Sequence, residues 1–165
     1  WMVVGGCFYF KDAANTEIYA LSLLDALPIW MVGLGMNGAE MADNPDLDEY
    51  VVHDLNLNAD LPFADNIFDA VVVTVSVQYM TNPIEMFQEV NRILKLGGVF
   101  IVTFSNRMFP TKAVRIWRGM SDEGHLDLVS SYMGYAGGFG DIRGGLRSEE
   151  RRVGKEWRSR GSPVP

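Results

Sequence analysis

The order of apolar and polar positions in residues 61–104 predicts a strand, a helix and a second strand in succession. Residues 68–77 are almost continuously apolar and rich in valine, which is typical of a strand buried on both faces of a parallel sheet. The helix is predicted to begin at Pro83 with Asn82 as its cap, and to end at Gly97. Residues 99–104 return as a second apolar strand. Such a crossover places both strands parallel in one sheet.

The predicted helix carries its apolar residues on one stripe, and these are expected to face the sheet. The stripe consists of Ile84, Phe87, Val90 and Leu94. Lys95 is predicted to lie in the last turn, where a cation interacts favourably with the negative end of the helix dipole.

The upstream pattern continues the alternation of strands and helices. Residues 31–34 predict a short strand, residues 39–42 one helical turn, and residues 50–53 a second strand that ends at Asp54. Two further helical segments are predicted at residues 111–118 and 124–135. This order predicts an α/β fold with a mostly parallel sheet and flanking helices.

Composition and charge narrow the classes of partner. A chain of 165 residues with 48% apolar composition suits one domain, and its net charge of −7 argues against a nucleic-acid partner. Cys7 is the single cysteine, so no internal disulfide can form. No apolar run approaches the roughly 20 residues that span a bilayer, and no cationic secretory lead is present, so we predict a cytoplasmic protein without a membrane partner. The oligomeric state is not indicated.

The two ends differ in character from residues 31–146. Residues 8–30 carry a helical pattern of their own, and residues 147–165 are basic and without apolar periodicity. Both resemble peptides produced when sequencing-adaptor DNA is read through as coding sequence. The alternative is an amphipathic N-terminal helix followed by a disordered basic tail. We therefore divide the chain at these boundaries into a non-native or artefactual segment, a domain, and a disordered or artefactual tail.

Three glycines after the first predicted strand raise a dinucleotide-binding hypothesis. Gly33, Gly35 and Gly38 match the spacing G-x-G-x-x-G, and Asp54 lies about twenty residues further on, where a ribose hydroxyl would be held. This alternative implies an NAD-dependent dehydrogenase. Its weakness is Pro45, which stops the intervening helix after about one turn.

Several downstream motifs occur in a fixed order and carry a different resemblance. They are LPF at residues 61–63, FDAVV at residues 68–72 and EVNRILKLGG at residues 89–98. This set resembles the class I S-adenosylmethionine-dependent methyltransferases of the methyltransferase type 11 group. The resemblance implies a Rossmann-like sheet, S-adenosylmethionine as cofactor, and methyl transfer to a small-molecule acceptor.

The same resemblance implies which residues bind the cofactor, at the carboxyl ends of successive strands. Asp54 matches the acid that accepts from the adenine amino group, and Met36 would pack on adenine. Gly35 stands where the family has an acid for the ribose hydroxyls, so that contact would be missing. The implied cofactor-binding set is Gly35, Met36, Asp54, Leu55, Thr74, Val75 and Ser76. A core role for Met36 and a turn-forming role for Asp54 are the structural alternatives.

Two parts of the family pattern are not found in the sequence. The family's first strand with its glycine-bearing loop should lie just upstream of Met31, and its closing strands should follow Gly140, but neither is recognisable. We therefore expect a partial domain, truncated at both ends, in which the missing central strand exposes two strand edges. A folded remnant without catalytic activity is the remaining alternative.

No catalytic residue and no metal site can be assigned. Methyl transfer from a sulfonium depends mainly on positioning of the acceptor, and the two histidines, His53 and His125, lack metal-ligand spacing. Gln78 and Tyr79 are candidates to face the acceptor. Phe109 and Trp117 are candidates for a substrate lid, with core packing as their alternative.

Overall fold

A computed structural model describes residues 2–5 by their backbone, and residues 30–105 and 108–146 in full. Most of the predicted segment 1–30 and all of the predicted tail 147–165 lie outside the described residues. The sequence-based division into three segments therefore stays a prediction.

Five strands form one sheet, and their order confirms the α/β class. The strands are β1 Met2–Gly5, β2 Met31–Gly35, β3 Glu49–Val52, β4 Phe68–Thr74 and β5 Leu94–Thr103. They lie in the order β3-β2-β1-β4-β5. The pairs β2–β3 and β4–β5 are parallel, as the sequence predicts for a crossover.

The centre of the sheet corrects one expectation. The gap expected in place of a first strand is filled by β1, which runs antiparallel to both β2 and β4. The sheet is therefore mixed, with two parallel and two antiparallel pairs, and no strand edge is open at its middle. The composition of residues 1–10 is compatible with a strand and a turn, but the direction and place of β1 in the sheet depend on pairing with Met31 and more distant residues.

In the described part of the chain, three α-helices and one 3-10 helix lie between the strands or after the last of them. They are α1 Gly38–Ala42, the 3-10 helix Val77–Tyr79, α2 Pro83–Ile93 and α3 Asp122–Ala136. Asn37 caps α1 by accepting from the amide of Glu40, and Ser121 caps α3 in the same way. The helix predicted at residues 111–118 was wrong, since this stretch forms turns.

The junction of α2 and β5 also differs from the prediction. The helix ends at Ile93, and Leu94 already belongs to β5, opposite Phe68. Lys95 is therefore not a helix-end cation but pairs with Asp69 at 2.9 Å. Gly97 adopts φ +80 within the strand, beside an irregularity in the β4–β5 register.

The core lies between the sheet and helices α2 and α3. Its fully enclosed side chains include Phe68, Val71, Phe87, Val90 and Trp117. Met86 and Ile93 complete the buried face of α2, whereas Ile84, predicted to be buried, is 36% exposed. The predicted stripe is thus rotated by part of a turn toward Met86.

Arg92 joins α2 to the loop before β4. Its guanidinium donates to both carboxylate oxygens of Glu89, to the carboxylate of Asp65, and to the backbone carbonyls of Leu61 and Phe63. Glu89 also accepts from the amide of Leu61 at 2.9 Å. This network fixes the loop that precedes β4 against the helix that follows it.

Candidate functional site

The carboxyl ends of β2, β3 and β4 lie at one edge of the sheet. Gly35 is opposite Val52 at the ends of β2 and β3, and Met2 of β1 is opposite both Leu34 and Val73. Because β2 and β4 run in the same direction, the residues that follow them emerge together. This edge is where ligands bind in sheets of this kind.

At the end of β2, Gly35 and Met36 occupy different environments. The carbonyl of Gly35 accepts from the amide of His53 at 2.9 Å, which ties β2 to the residue following β3. The Met36 side chain is 71% exposed, so its core alternative was wrong. An exposed thioether at this edge provides an apolar surface on which a flat ring can pack.

After β3, the chain turns sharply around Asp54. Its carboxylate oxygen Oδ1 accepts from the amide of Asn56 at 2.9 Å, and its carbonyl accepts from the amides of Leu57 and Asn58. The turn-forming role of Asp54 is therefore confirmed. No described residue donates to its second oxygen, Oδ2, so the turn leaves one acceptor for a ligand. Leu55 is half-buried and packs against the core.

At the end of β4, the backbone takes an unusual conformation. Val75 has φ +48, a left-handed value that is sterically costly for a β-branched residue, and its amide donates to the carbonyl of Thr103 at 2.8 Å. Thr74 is exposed and Ser76 is half-buried. Strained residues of this kind cluster at binding and catalytic sites.

Asn56 joins the loop after β3 to the residues at the end of the 3-10 helix. This residue was not identified from the sequence. Its amide nitrogen donates to the carbonyl of Tyr79 at 3.1 Å, and its oxygen accepts from the amide of Thr81 at 2.8 Å and from its hydroxyl at 3.0 Å. The partners lie more than twenty residues away, so no local pattern could indicate them.

The 3-10 helix beside this edge turns two side chains, those of Val77 and Gln78, into the interior. Gln78 is fully buried, and neither its amide nitrogen nor its amide oxygen has a hydrogen-bond partner. It does not face solvent, contrary to its predicted position toward an acceptor. The hydroxyl of Tyr79 accepts a hydrogen bond from the amide of Phe109 at 3.0 Å. This bond holds the backbone of Phe109 next to the 3-10 helix.

Trp117 and His125 pack against each other in the core. Their rings stack at 4.1 Å, and Nε2 of His125 donates to the carbonyl of Trp117 at 2.9 Å. Trp117 is fully buried, so the core role given as the alternative to a substrate lid is confirmed for this residue. Phe109 is 67% exposed and is not a core residue. In the part of the chain that the structure describes, no group of three or more potential ligand side chains that could hold a metal ion converges.

The glycine fingerprint lacks the geometry that dinucleotide binding requires. Gly33 lies inside β2, where an added Cβ would come within 2.5 Å of Leu47, so this glycine serves strand packing rather than a turn. Gly38 begins α1, a helix of five residues. So short a helix has little dipole to direct at a pyrophosphate.

A carboxyl group with a lowered pKa and a groove beside α3 both lie away from most of this edge. The pKa of the Glu89 carboxyl is lowered, chiefly by its hydrogen bond to Arg92, and that pair is at the opposite end of β4. A groove of about 1670 Å³ runs along β5 and α3 and reaches the edge at residues 103–105. Within the described residues, no helix is long and apolar enough to cross a membrane.

Comparison with known proteins adds an independent finding. Residues 34–102 match a family model described as methyltransferase domain. The ubiquinone/menaquinone biosynthesis C-methyltransferase UbiE of Chromobacterium violaceum is 32% identical over 97 residues, covering 56% of this chain and 36% of that protein. The demethylmenaquinone methyltransferase of Renibacterium salmoninarum is 33% identical over 96 residues, covering 58% and 38%.

Among solved structures, the [4+2]-cyclase SpnF matches this chain with 22% sequence identity and a TM-score of 0.49. The match covers 72% of this chain and 46% of the SpnF chain. The chain spans little more than a third of the length of the two curated relatives named above.

Proposed function

We propose that this protein transfers a methyl group from S-adenosylmethionine to a small-molecule acceptor, because residues 34–102 match a family model described as methyltransferase domain. The observation that carries the proposal is the convergence of Met36, Asp54 and Val75 at one edge of the sheet. Methyltransferase activity of this family implies use of S-adenosylmethionine.

The residues at this edge fit the adenine and the methionine part of the cofactor, but they do not fit the ribose between them. The exposed Met36 side chain would pack on adenine, while Oδ2 of Asp54 and the amide of Leu55 would hold the adenine edge. Thr74, Val75 and Ser76 would line the methionine end. Gly35 offers no carboxylate for the ribose hydroxyls.

When bound, the cofactor supplies a methyl group already activated by the sulfonium. The protein's own contribution is then to position the acceptor in line and to exclude water. The left-handed turn at Val75 directs the chain from β4 into the 3-10 helix, which closes one side of the edge.

The direction of β1 limits cofactor affinity. Gly5 is opposite Met31 and Ala70, at the amino ends of β2 and β4, so the chain leaves β1 at the edge opposite Met36 and Asp54. The carboxyl end of β1 therefore lies on the opposite side of the sheet from the site proposed for the methionine end of the cofactor. We expect weak binding, well above micromolar dissociation constants.

The relatives suggest which acceptors to test first. One is named a ubiquinone/menaquinone biosynthesis C-methyltransferase, and another a demethylmenaquinone methyltransferase. We propose an acceptor of the same kind, a small aromatic molecule, with demethylmenaquinone as the first to test.

Titration of the labelled chain with S-adenosylmethionine, followed by amide chemical shifts, tests the cofactor assignment. We expect shifts at residues 35–36, 54–55 and 74–76. The variant Asp54→Asn keeps the Oδ1 acceptor of the turn but replaces Oδ2 with a donor, so binding should weaken about three- to tenfold. Asp60→Asn, in the same exposed loop, is the matched control and should leave the dissociation constant unchanged.

The same titration with NADH separates the alternatives. Tighter binding of NADH than of S-adenosylmethionine, with shifts centred on Gly33 and Gly38, would support dinucleotide binding. Absence of shifts with either ligand at millimolar concentration would contradict the proposal and favour a non-catalytic remnant, for which the antiparallel β1 is the structural argument.

A further inference from the structure

The loops that follow β3 and β4 start from strands that are not neighbours. Strands β2 and β1 lie between them. Adjacent strands are about 4.8 Å apart, so β3 and β4 are separated by about 14 Å. Backbone pairing between these two strands therefore cannot fix the loop around Asp54 relative to the turn at Val75. A ligand that contacts both loops depends on how they are held.

The side chain of Asn56 connects the two loops. Its amide nitrogen donates to the carbonyl of Tyr79, 23 positions away in the sequence, and its amide oxygen accepts from the amide and the hydroxyl of Thr81, 25 positions away. These three hydrogen bonds join the loop after β3 directly to the residues that follow the turn at the end of β4.

The backbone of the same residue orients the Asp54 carboxylate. The amide of Asn56 donates to Oδ1 of Asp54 at 2.9 Å. Asn56 therefore fixes the carboxylate through its backbone and ties the loop that carries this carboxylate to Tyr79 and Thr81 through its side chain. Because one residue makes both sets of bonds, the position of Asp54 depends on the second loop.

The bonding capacity of the Asn56 side chain explains why an amide is needed here. An amide oxygen has two acceptor sites, and Thr81 uses both of them. The oxygen is thus occupied within the protein, although the residue is exposed at the edge. A carboxylate in its place would face the carbonyl oxygen of Tyr79 without a proton to donate.

We propose that Asn56 is a positioning residue for the cofactor, an inference that rests on the proposed function. It holds the Asp54 loop, on the adenine side, in place relative to residues 74–76, on the methionine side. Loops that are already held in place cost less to order when a ligand binds. Cofactor affinity therefore depends on a side chain that acts through Asp54 and the second loop.

The variant Asn56→Ala removes the three side-chain bonds and keeps the backbone of the turn. Its dissociation constant for S-adenosylmethionine, measured by the amide titration, should rise about three- to tenfold. Asn58→Ala is the matched control, because Asn58 is an exposed asparagine in the same loop whose side chain accepts from the nearby amide of Asp60. This control should leave the dissociation constant unchanged.

Two conservative variants test the individual bonds. Asn56→Asp keeps an acceptor for Thr81 but places an oxygen against the carbonyl of Tyr79, so it should weaken binding at least as much as Asn56→Ala. Thr81→Val removes the hydroxyl and keeps the amide bond, so it should raise the dissociation constant only about twofold. Full affinity of Asn56→Asp would contradict the role of the Tyr79 bond and overturn the proposal.

A double-mutant cycle separates positioning from a general structural role. In the Asp54→Asn background the carboxylate that Asn56 orients is already lost, so Asn56→Ala should raise the dissociation constant less than about twofold further. A structural role alone would give the same loss in both backgrounds, and this result would overturn the proposal. Far-ultraviolet circular dichroism and the melting temperature show that each variant is folded.

Amide shifts of the ligand-free chain give a spectroscopic signature. Asn56→Ala should shift the amides of Thr81, which loses its acceptor, and of Phe109, which donates to the Tyr79 hydroxyl. Asn58→Ala should leave both in place. Equal affinity of the unchanged chain and Asn56→Ala would overturn the role of Asn56 and leave the proposed function intact. Absence of binding by the unchanged chain would contradict the proposed function and this inference together.

Discussion

Gln78 places a polar side chain where the core offers it no partner. The residue is fully buried next to Val77, and both polar atoms of its amide lack hydrogen-bond partners in the protein. A buried amide without partners costs about 1 to 3 kcal/mol in mutational data. Either an internal water satisfies it, or the fold carries this cost.

Replacing Gln78 with leucine distinguishes these two cases. If the site is dry, Gln78→Leu removes the cost and should raise the free energy of unfolding by about 1 to 2 kcal/mol. Gln88→Leu is the matched control, because Gln88 is exposed on α2, and its effect should stay within about 0.5 kcal/mol. Both values come from urea denaturation. Destabilisation by Gln78→Leu would show that the amide binds internal water.

Individual residues of the candidate edge were only partly predictable. Asp54 could be placed at a turn because aspartate after a strand accepts from nearby amides, and the structure confirms this turn. The exposure of Met36 could not be foreseen, since methionine occurs both in cores and on surfaces. Asn56 was missed because its role depends on Thr81 and Tyr79, which come close only in the folded chain.

Among the elements, the unit from β4 through α2 to β5 was the most predictable. Valine-rich strands, a proline at the helix start and a parallel return all appear as expected. The helix end was misplaced because Gly97 was interpreted as a helix cap. Instead, Leu94 pairs with Phe68 and draws the chain into the sheet three residues earlier. Long-range pairing, which local propensity does not contain, decides that boundary.

The network around Arg92 makes stability depend on pH through Glu89. The pKa of Glu89 is below its usual value of 4.5, first because Arg92 donates to it and then because Leu61 does. A carboxylate with a lowered folded-state pKa stabilises the fold above its unfolded pKa. That contribution is lost as the pH falls through the lower, folded-state value.

The variant Glu89→Gln tests this dependence. At neutral pH it should lower the free energy of unfolding by about 1 to 3 kcal/mol, because a charged hydrogen-bonding partner of Arg92 is lost. The difference from the unchanged chain should shrink as the pH falls below about 4.5. Glu85→Gln, exposed on the same helix, serves as control and should show little change. A constant difference at all pH values would contradict this role.

At the scale of the whole molecule, the sequence predicted the class of fold and not the direction of its central strand. The alternation of strands and helices indicated a sheet with a family resemblance, and residues 34–102 match that family. The four residues of β1 carry no pattern that sets their direction. Only pairing with both Gly33 and Val72 places Val3 in the middle of the sheet.

A central strand of this kind should be essential for folding in spite of its short length. Its backbone pairs with β2 on one side and with β4 on the other, so it connects the two parallel pairs of the sheet. Val3→Pro removes a ladder donor and should cost about 3 kcal/mol or more, which is a large part of the stability of a small domain. We expect loss of cooperative thermal unfolding.

Val52→Pro provides the contrast at the edge strand β3. The amide of His53 donates to Gly35, so by alternation the amide of Val52 points away from β2 and contributes no bond to the ladder. This variant should therefore unfold cooperatively, with a loss of about 1 kcal/mol or less. If Val3→Pro were equally mild in calorimetry, β1 would not hold the sheet together. In that case the direction of β1 would no longer be a structural reason to expect weak cofactor binding.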